Sequence, residues 1–249
     1  MKLLIISDIH GNADALRTLL NTIKDWDYIW VLGDLVDYGP EPHIVIDIVK
    51  ELKPDLTLMG NHDYAVAYNT DCRCAPELHE LSEYTRNNIS LKLLSKEQKA
   101  WLKGLSLKHK TLMNGSRIYA VHGSPRNNLY GYLRPELSLD EIKLALTDKI
   151  YAVKPQLVDA DYVVVGHTHI QMQISVDGLK VLNPGSVGQP RDGNPKASAL
   201  LINLKTWELN WLRVDYDVES TVKKLSSLGL EIRYVKWLEA ILKSGAVIK

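Results

Sequence analysis

The chain has no phenylalanine, only two cysteines, and a formal net charge of zero from 30 basic and 30 acidic residues. Each shortage excludes something. Cys72 and Cys74 alone cannot make a four-thiolate zinc site. Two reduced thiols in the loop Asp71-Cys72-Arg73-Cys74-Ala75-Pro76 are the simplest reading and fit a cytoplasmic protein; a regulatory or metal role is the alternative. The balanced charge lacks the global basic face that drives duplex nucleic-acid binding, so nucleic acid is not an expected partner. No apolar run approaches the ~18 residues of a membrane span. A strand-like run begins within two residues of Met1 without a charged-apolar-cleavage pattern, so no signal peptide is expected. Aromatic packing falls to 12 tyrosines and 6 tryptophans.

What remains is ordinary for a globular protein: 45% hydrophobic and 24% charged residues over 249 positions, enough to bury a core without staples. Short apolar runs at Lys2–Ser7, Tyr28–Leu32 and Asp55–Met59 read as strands. Helical spacing is expected over Asn12–Lys24, and a proline-started helix over Pro42–Leu52. Glu77–Gly104 reads as two helical pieces broken near Ser90–Ser95. Leu105–Met113 and Arg117–Val121 read as a hairpin across Asn114-Gly115. A helix is expected over Leu139–Val153, and strands at Tyr162–Val165, Gln171–Val176, Leu179–Leu182, Ala197–Asn203 and Trp207–Val214. Two helices follow from about Asp217. This order predicts α/β layers with mixed strand pairing. The simplest division is a catalytic domain over 1–215 with a helical extension, 216–249, packed on it.

Five polar motifs each follow directly on an apolar strand: Asp8-Ile9-His10, Gly33-Asp34-Leu35-Val36-Asp37, Gly60-Asn61-His62-Asp63, His122-Gly123 and Gly166-His167-Thr168-His169. Ligands in open α/β sheets bind at the carboxyl ends of strands, so the five can meet at one place. Where extended backbone persists, residues i and i+2 share a side, pairing Asp8 with His10 and His167 with His169. Five of the eight histidines lie in these motifs, which is hard to reconcile with packed core imidazoles. Imidazole with carboxylate suits manganese, iron, zinc, nickel or cobalt. Two divalent ions against only two carboxylates, Asp8 and Asp34, leave a positive surplus that favours an anionic substrate.

In order, these residues resemble the calcineurin-like metallophosphoesterase superfamily, whose pattern is D-x-H, G-D-x-x-D, G-N-H-[DE], a later His, and G-H-x-H. The stretch Asn183-Pro184-Gly185-Ser186-Val187-Gly188-Gln189-Pro190-Arg191 resembles its small prokaryotic phosphodiesterase branch. The resemblance implies a four-layer α-β-β-α sandwich with two mixed sheets. It implies two divalent ions, manganese favoured. Asp8, His10 and His169 would hold one, Asn61, His122 and His167 the other, with Asp34 between both. It further implies phosphodiester hydrolysis by in-line attack of a metal-bridging hydroxide, with His62 as catalytic histidine, Asp63 orienting its other ring nitrogen, and Asp37 bonded within the ligand shell.

Tyr38 stands where protein phosphatases and related tetraphosphate hydrolases carry an arginine after the second Asp, which lowers the case for phosphoprotein substrates. Arg126 and Arg191 are candidates to bind the substrate phosphate; a solvated loop residue and a salt bridge with Asp192 are the competing readings. Tyr130 and Tyr132 can stack on a base or pack, and Asn183 and Ser186 are expected to shape a turn under the site. The alternatives are a phosphomonoesterase, a dinucleoside polyphosphate hydrolase, and a protein-binding scaffold, the last opposed by the complete motif set. The C-terminal helices would cover the site, pack on the sheet, or join copies of the chain as a homo-oligomer.

Overall fold

Alternation along the first strand, β1 (Lys2–Ile6), sends Leu3 and Ile5 to one face and Leu4 and Ile6 to the other, and all four are fully buried. A strand buried on both faces needs a layer on each side, and the structure supplies them. It is a computed structural model that describes residues 1–149, 151 and 154–248.

The first sheet has the order β10-β9-β1-β2-β3, built from β2 (Tyr28–Val31), β3 (Leu56–Thr57), β9 (Ala197–Asn203) and β10 (Glu208–Val214) around β1. β1, β2 and β3 run parallel; β9 and β10 are antiparallel to their neighbours. The second sheet has the order β4-β5-β6-β8-β7, with β4 (Lys108–Met113), β5 (Ser116–Val121), β6 (Tyr162–Val164), β7 (Gln171–Val176) and β8 (Leu179–Pro184). There β5, β6 and β8 are parallel, and the edge strands β4 and β7 antiparallel.

Leu3, Ile5, Trp30 and Leu32 meet Ile118, Ala120, Val164 and Leu182 in the core between the sheets. Leu4 and Ile6 turn the other way, onto α1 (Ala13–Thr22) and α2 (Pro42–Leu52). Tyr119, Val121 and Val163 face outward onto Ile142 of α7 (Leu139–Ala145). The expected four-layer sandwich with two mixed sheets is what the chain forms.

Boundaries largely follow the sequence: α1 is capped by Asn12, whose side chain accepts the Ala15 amide at 3.1 Å, and Pro42 opens α2. The middle stretch comprises α4 (Pro76–Thr85), a π-helical turn at Arg86–Ser90, the short α5 (Leu91–Leu93) and α6 (Lys96–Lys103). Three expectations change. β4 starts at Lys108 rather than Leu105, because Ser106 is taken up in a bridge with Leu58 and bonds the Met59 amide. α7 ends at Ala145, and Ile150 and Val153 of the expected longer helix lie outside the described residues. The third change adds α3 (Asn61–Tyr68), which spacing did not suggest. Asn61, His62, Asp63, Ala65, Val66 and Ala67 are all buried, so that helix has no polar stripe to reveal it.

The last two helices, α8 (Val218–Ser227) and α9 (Ile232–Ser244), pack on each other and on α4 through Val222, Leu225, Val235 and Leu238 with Leu78 and Leu81. Among the described residues no helix is long and apolar enough to cross a membrane.

Candidate metal centre

The side chains at the carboxyl ends of β1, β2, β5 and β6 converge, but not through extended backbone. Asp8, His10, Asp34, Asp37, His167 and His169 all have positive φ, from 47° to 66°. The i, i+2 expectation is thereby corrected: left-handed turns, not pleating, aim these side chains. Asp and His enter this region more readily than most residues, yet each such position stores roughly 1–3 kcal/mol unless its surroundings hold it. Here backbone bonds between loops hold it. The Asp8 amide donates to the Gly33 carbonyl at 3.0 Å, His10 to Asp34 at 2.9 Å, and Gly166 to His122 at 2.8 Å. Asn183 Nδ2 ties the Gly166 carbonyl (2.7 Å) to Thr168 Oγ1 (2.9 Å), and Ser186 Oγ donates to the Asp8 carbonyl at 2.6 Å. Asn183 and Ser186 thus brace the turns beneath the site, as expected.

Tautomers follow from the outer ring nitrogens. His10 Nδ1 lies 2.8 Å from the Val36 carbonyl, His122 Nδ1 2.8 Å from the Leu32 carbonyl, and His169 Nδ1 2.5 Å from the Gln189 carbonyl. Carbonyls only accept, so each Nδ1 carries the proton and each Nε2 offers a lone pair inward. His10 Nε2 then faces His169 Nε2 at 3.1 Å, and His122 Nε2 faces Asn61 Oδ1 at 3.1 Å. Asn61 is turned oxygen-inward because its Nδ2 donates to the Cys72 carbonyl at 2.8 Å. Asp34 Oδ2 sits 3.2 Å from His122 Nε2 and 3.7 Å from His10 Nε2. Asp34 Oδ2 and His167 Nε2 are buried without a hydrogen-bond partner. Acceptors facing acceptors with no donor between them form a cradle for cations.

Two groups of such atoms lie within 4.8 Å of one another: Asp8, His10, Asp34 and His169, and Asp34, His122 and His167. Asp34 belongs to both. Burial keeps His10, His167 and His169 well below the ordinary imidazole range, hence neutral and able to ligate. Burial also pushes Asp8 up to about 6. It opposes charge at Asp34 too, but His122, His62 and His10 outweigh it and hold that carboxyl well below the usual range. The partner effect raises His122 to about 9 against its own burial. A divalent ion beside Asp34 would remove that preference for the protonated ring and leave His122 Nε2 free to ligate.

His62 enters on the first turn of α3, its backbone amide bonded to Asp34 Oδ1 at 2.9 Å. Its Nδ1 is 2.9 Å from Asp37 Oδ2, and Asp37 Oδ1 accepts from Ser90 Oγ at 2.7 Å. Asp34, Cys72 and this bond to Asp37 outweigh burial and raise His62 to about 9. The expected role of Asp63 is corrected: it does not orient the ring. Its oxygens accept three backbone amides, from Asp34 (2.8 Å), Leu35 (2.8 Å) and Gly60 (2.9 Å), clamping two loops together. At the start of α3, Asp63 points back to the helix N-terminus, as an N3 carboxylate does.

The two candidate arginines separate. Arg191 acts electrostatically on Asp8, His10, His167 and His169, and its guanidinium is held by Gln189 Oε1 at 2.7 Å and lies 5.8 Å from the Tyr38 ring. Asp192 does not pair with it; Asp192 binds Arg213. Arg126 is half-buried, and its backbone amide donates to the Ala145 carbonyl at 3.0 Å. The Tyr132 ring lies 4.1 Å from His167, whereas Tyr130 lies 5.2 Å from Arg73. Spacing gave no signal for Arg134, which joins Arg191, Thr168, Leu78 and Val247 around a cleft of about 240 Å³.

Residues 1–206 match the Calcineurin-like phosphoesterase superfamily domain. An uncharacterized protein of Methanocaldococcus jannaschii is 30% identical over 94% of both chains. The phosphodiesterase YfcE of Escherichia coli K12 is 25% identical over 82% of this chain and 88% of its own. A metallophosphoesterase from Sphaerobacter thermophilus superposes with a TM-score of 0.79 at 27% identity, covering 99% of each chain. With the five motifs converged at one end of a two-sheet sandwich, the chain belongs to the calcineurin-like phosphoesterase superfamily.

Proposed function

We propose that this protein is a dinuclear-metal phosphodiesterase acting on a small phosphate diester. The observation that supports it most is the gathering of buried imidazole nitrogens around Asp34 Oδ2, an oxygen buried without a hydrogen-bond partner. Asp8, His10, Asp34 and His169 would hold one divalent ion, and Asp34, Asn61, His122 and His167 the other, with manganese the favoured metal. Such a pair supplies Lewis-acid stabilisation of phosphoryl oxygens and a water made acidic enough to attack near neutral pH.

The chain's own residues do the rest. Asp37 holds the His62 ring through Nδ1 and, after Asp34 and Cys72, helps to keep it charged, so that Nε2 can give its proton to the departing oxygen. A positioned general acid contributes about 10²–10⁴-fold. Arg191 binds a non-bridging oxygen of the ester, and Arg126 is the weaker candidate for the same work. Asn61 keeps the cradle less negative than a carboxylate would, which suits an anionic substrate.

Metal-stripped protein reloaded with single metals should turn over bis-p-nitrophenyl phosphate faster than p-nitrophenyl phosphate or diadenosine tetraphosphate. No turnover of any ester under any metal would remove the proposal. His62→Ala should keep its metal content by elemental analysis and lose about 10²-fold or more in kcat; unchanged turnover would take His62 out of the mechanism.

A further inference from the structure

Beside the paired-ion cradle lies a second set of donors that the phosphodiesterase reading leaves unused. The Sγ atoms of Cys72 and Cys74 and a ring nitrogen of His62 all lie within 4.8 Å of one another. Ser82 Oγ joins them, 3.1 Å from Cys72 Sγ and 3.3 Å from His62 Nδ1. The loop carrying both cysteines is fixed to the site at one end, where the Cys72 carbonyl accepts from Asn61. Cys72 is buried while Cys74 is half-buried, so one thiol is sheltered and the other is reachable from solvent.

We propose that His62, Cys72 and Cys74 form a separate site for one soft divalent cation, zinc by preference, and that filling it withdraws His62 from catalysis. The second half rests on the role given to His62 above. Two thiolates with an imidazole are zinc donors, and Ser82 Oγ or a water completes four. The neighbouring cradle offers only nitrogen and oxygen, so the two sites differ in softness as well as place. Binding needs both sulfurs as thiolates and the His62 ring neutral, so the protons these groups carry pass to solvent, and the two thiolates then cancel the charge of the cation.

The sulfurs stand 2.9 Å apart. Two zinc–sulfur bonds of ~2.3 Å at a tetrahedral angle need about 3.8 Å between them. That opening falls to Cys74, the less buried of the two. A cation on Nδ1 would displace the bond to Asp37 that holds the ring for proton transfer, and one on Nε2 would take the place of the proton itself, so either way occupation switches turnover off without emptying the cradle.

The test uses reduced, manganese-loaded protein titrated with cadmium. A thiolate-to-cadmium charge-transfer band saturating at one equivalent is expected, with at least tenfold weaker binding in His62→Ala. No band, or one whose affinity ignores His62, overturns the site. One equivalent of zinc should slow ester turnover by the order of 10²-fold, the low end of what a general acid supplies. Cys74→Ser should turn over ester as wild type without zinc and resist its inhibition. Equal inhibition of wild type and the Cys74 variant overturns the regulatory half. The cadmium band is independent of activity, so an inert protein that shows it would sink the phosphodiesterase reading and leave the site standing.

Discussion

Two buried aspartates flank His62 and hold different things. Asp37 holds the ring, and Asp63 holds three backbone amides. Removing them should therefore fail in different ways. Asp63→Ala leaves three buried donors unanswered, at roughly 1–3 kcal/mol each. A net loss of about 3 kcal/mol is expected, which in a chain of this size lowers Tm by roughly 6–12 °C in calorimetry. Asp37→Asn keeps the shape, and its Tm should move far less. It removes a charge that, after Asp34 and Cys72, helps to raise His62, so kcat should fall at alkaline pH, where the ring loses its proton earlier than in wild type. A pH–rate profile whose alkaline limb does not move acidward would refute the assignment. At this scale the sequence was a good guide to the residues that converge, because each lies in a motif a few residues long. It could not say which carboxylate meets His62, because that depends on how two loops cross after each has turned through positive φ.

At the scale of elements, α3 and the π-helical turn do the positioning, and neither was legible. α3 is buried on all sides, and the π turn differs from its α-helical neighbours only in hydrogen-bond register. That turn sets Ser90 Oγ against Asp37 Oδ1 while Thr85 Oγ1 accepts the Tyr38 amide at 3.1 Å. The strands, by contrast, were readable in order and nearly in extent, since runs buried on both faces leave continuous apolar sequence. Gly60 shows how closely the elements meet: a Cβ there would stand 2.0 Å from Asp34 Oδ1 and 2.3 Å from the Asp34 amide. Gly60→Ala should displace Asp34 from both ligand groups. Isothermal titration of the variant should show metal affinity lowered by roughly 10–100-fold, the scale for disturbed ligand support; wild-type affinity would mean that the loop yields without moving the carboxylate.

At the scale of the molecule, the C-terminal helices close over the polar end rather than standing apart. Tyr38, beside His10 and His62, packs in the same cluster as Val235, Leu238 and Ile241. Lys224 of α8 spans to Asp14 of α1 at 2.6 Å and to Glu41, just before α2, at 2.7 Å. These two partners outweigh partial burial and raise the Lys224 ammonium above its ordinary range. A raised folded-state pKa contributes stability in full below the unfolded lysine value and loses it as pH rises through the folded one. Lys224→Met should therefore cost about 0.5–1 kcal/mol at neutral pH, the scale of a solvent-screened pair, with the difference from wild type shrinking above about pH 10.4. A deficit in urea unfolding that stays constant into strong alkali would show that lost packing, not charge, is responsible.

Asp34 leaves the end of β2 in one sheet, and His122 and His167 leave β5 and β6 in the other. Between the sheets themselves lie mainly apolar side chains, which grip without direction. An ion seized from both sides would thus be a rivet driven through the seam, and chelation would draw it out. The sandwich would then part first along its polar rim, where amide exchange should quicken before the greasy middle notices.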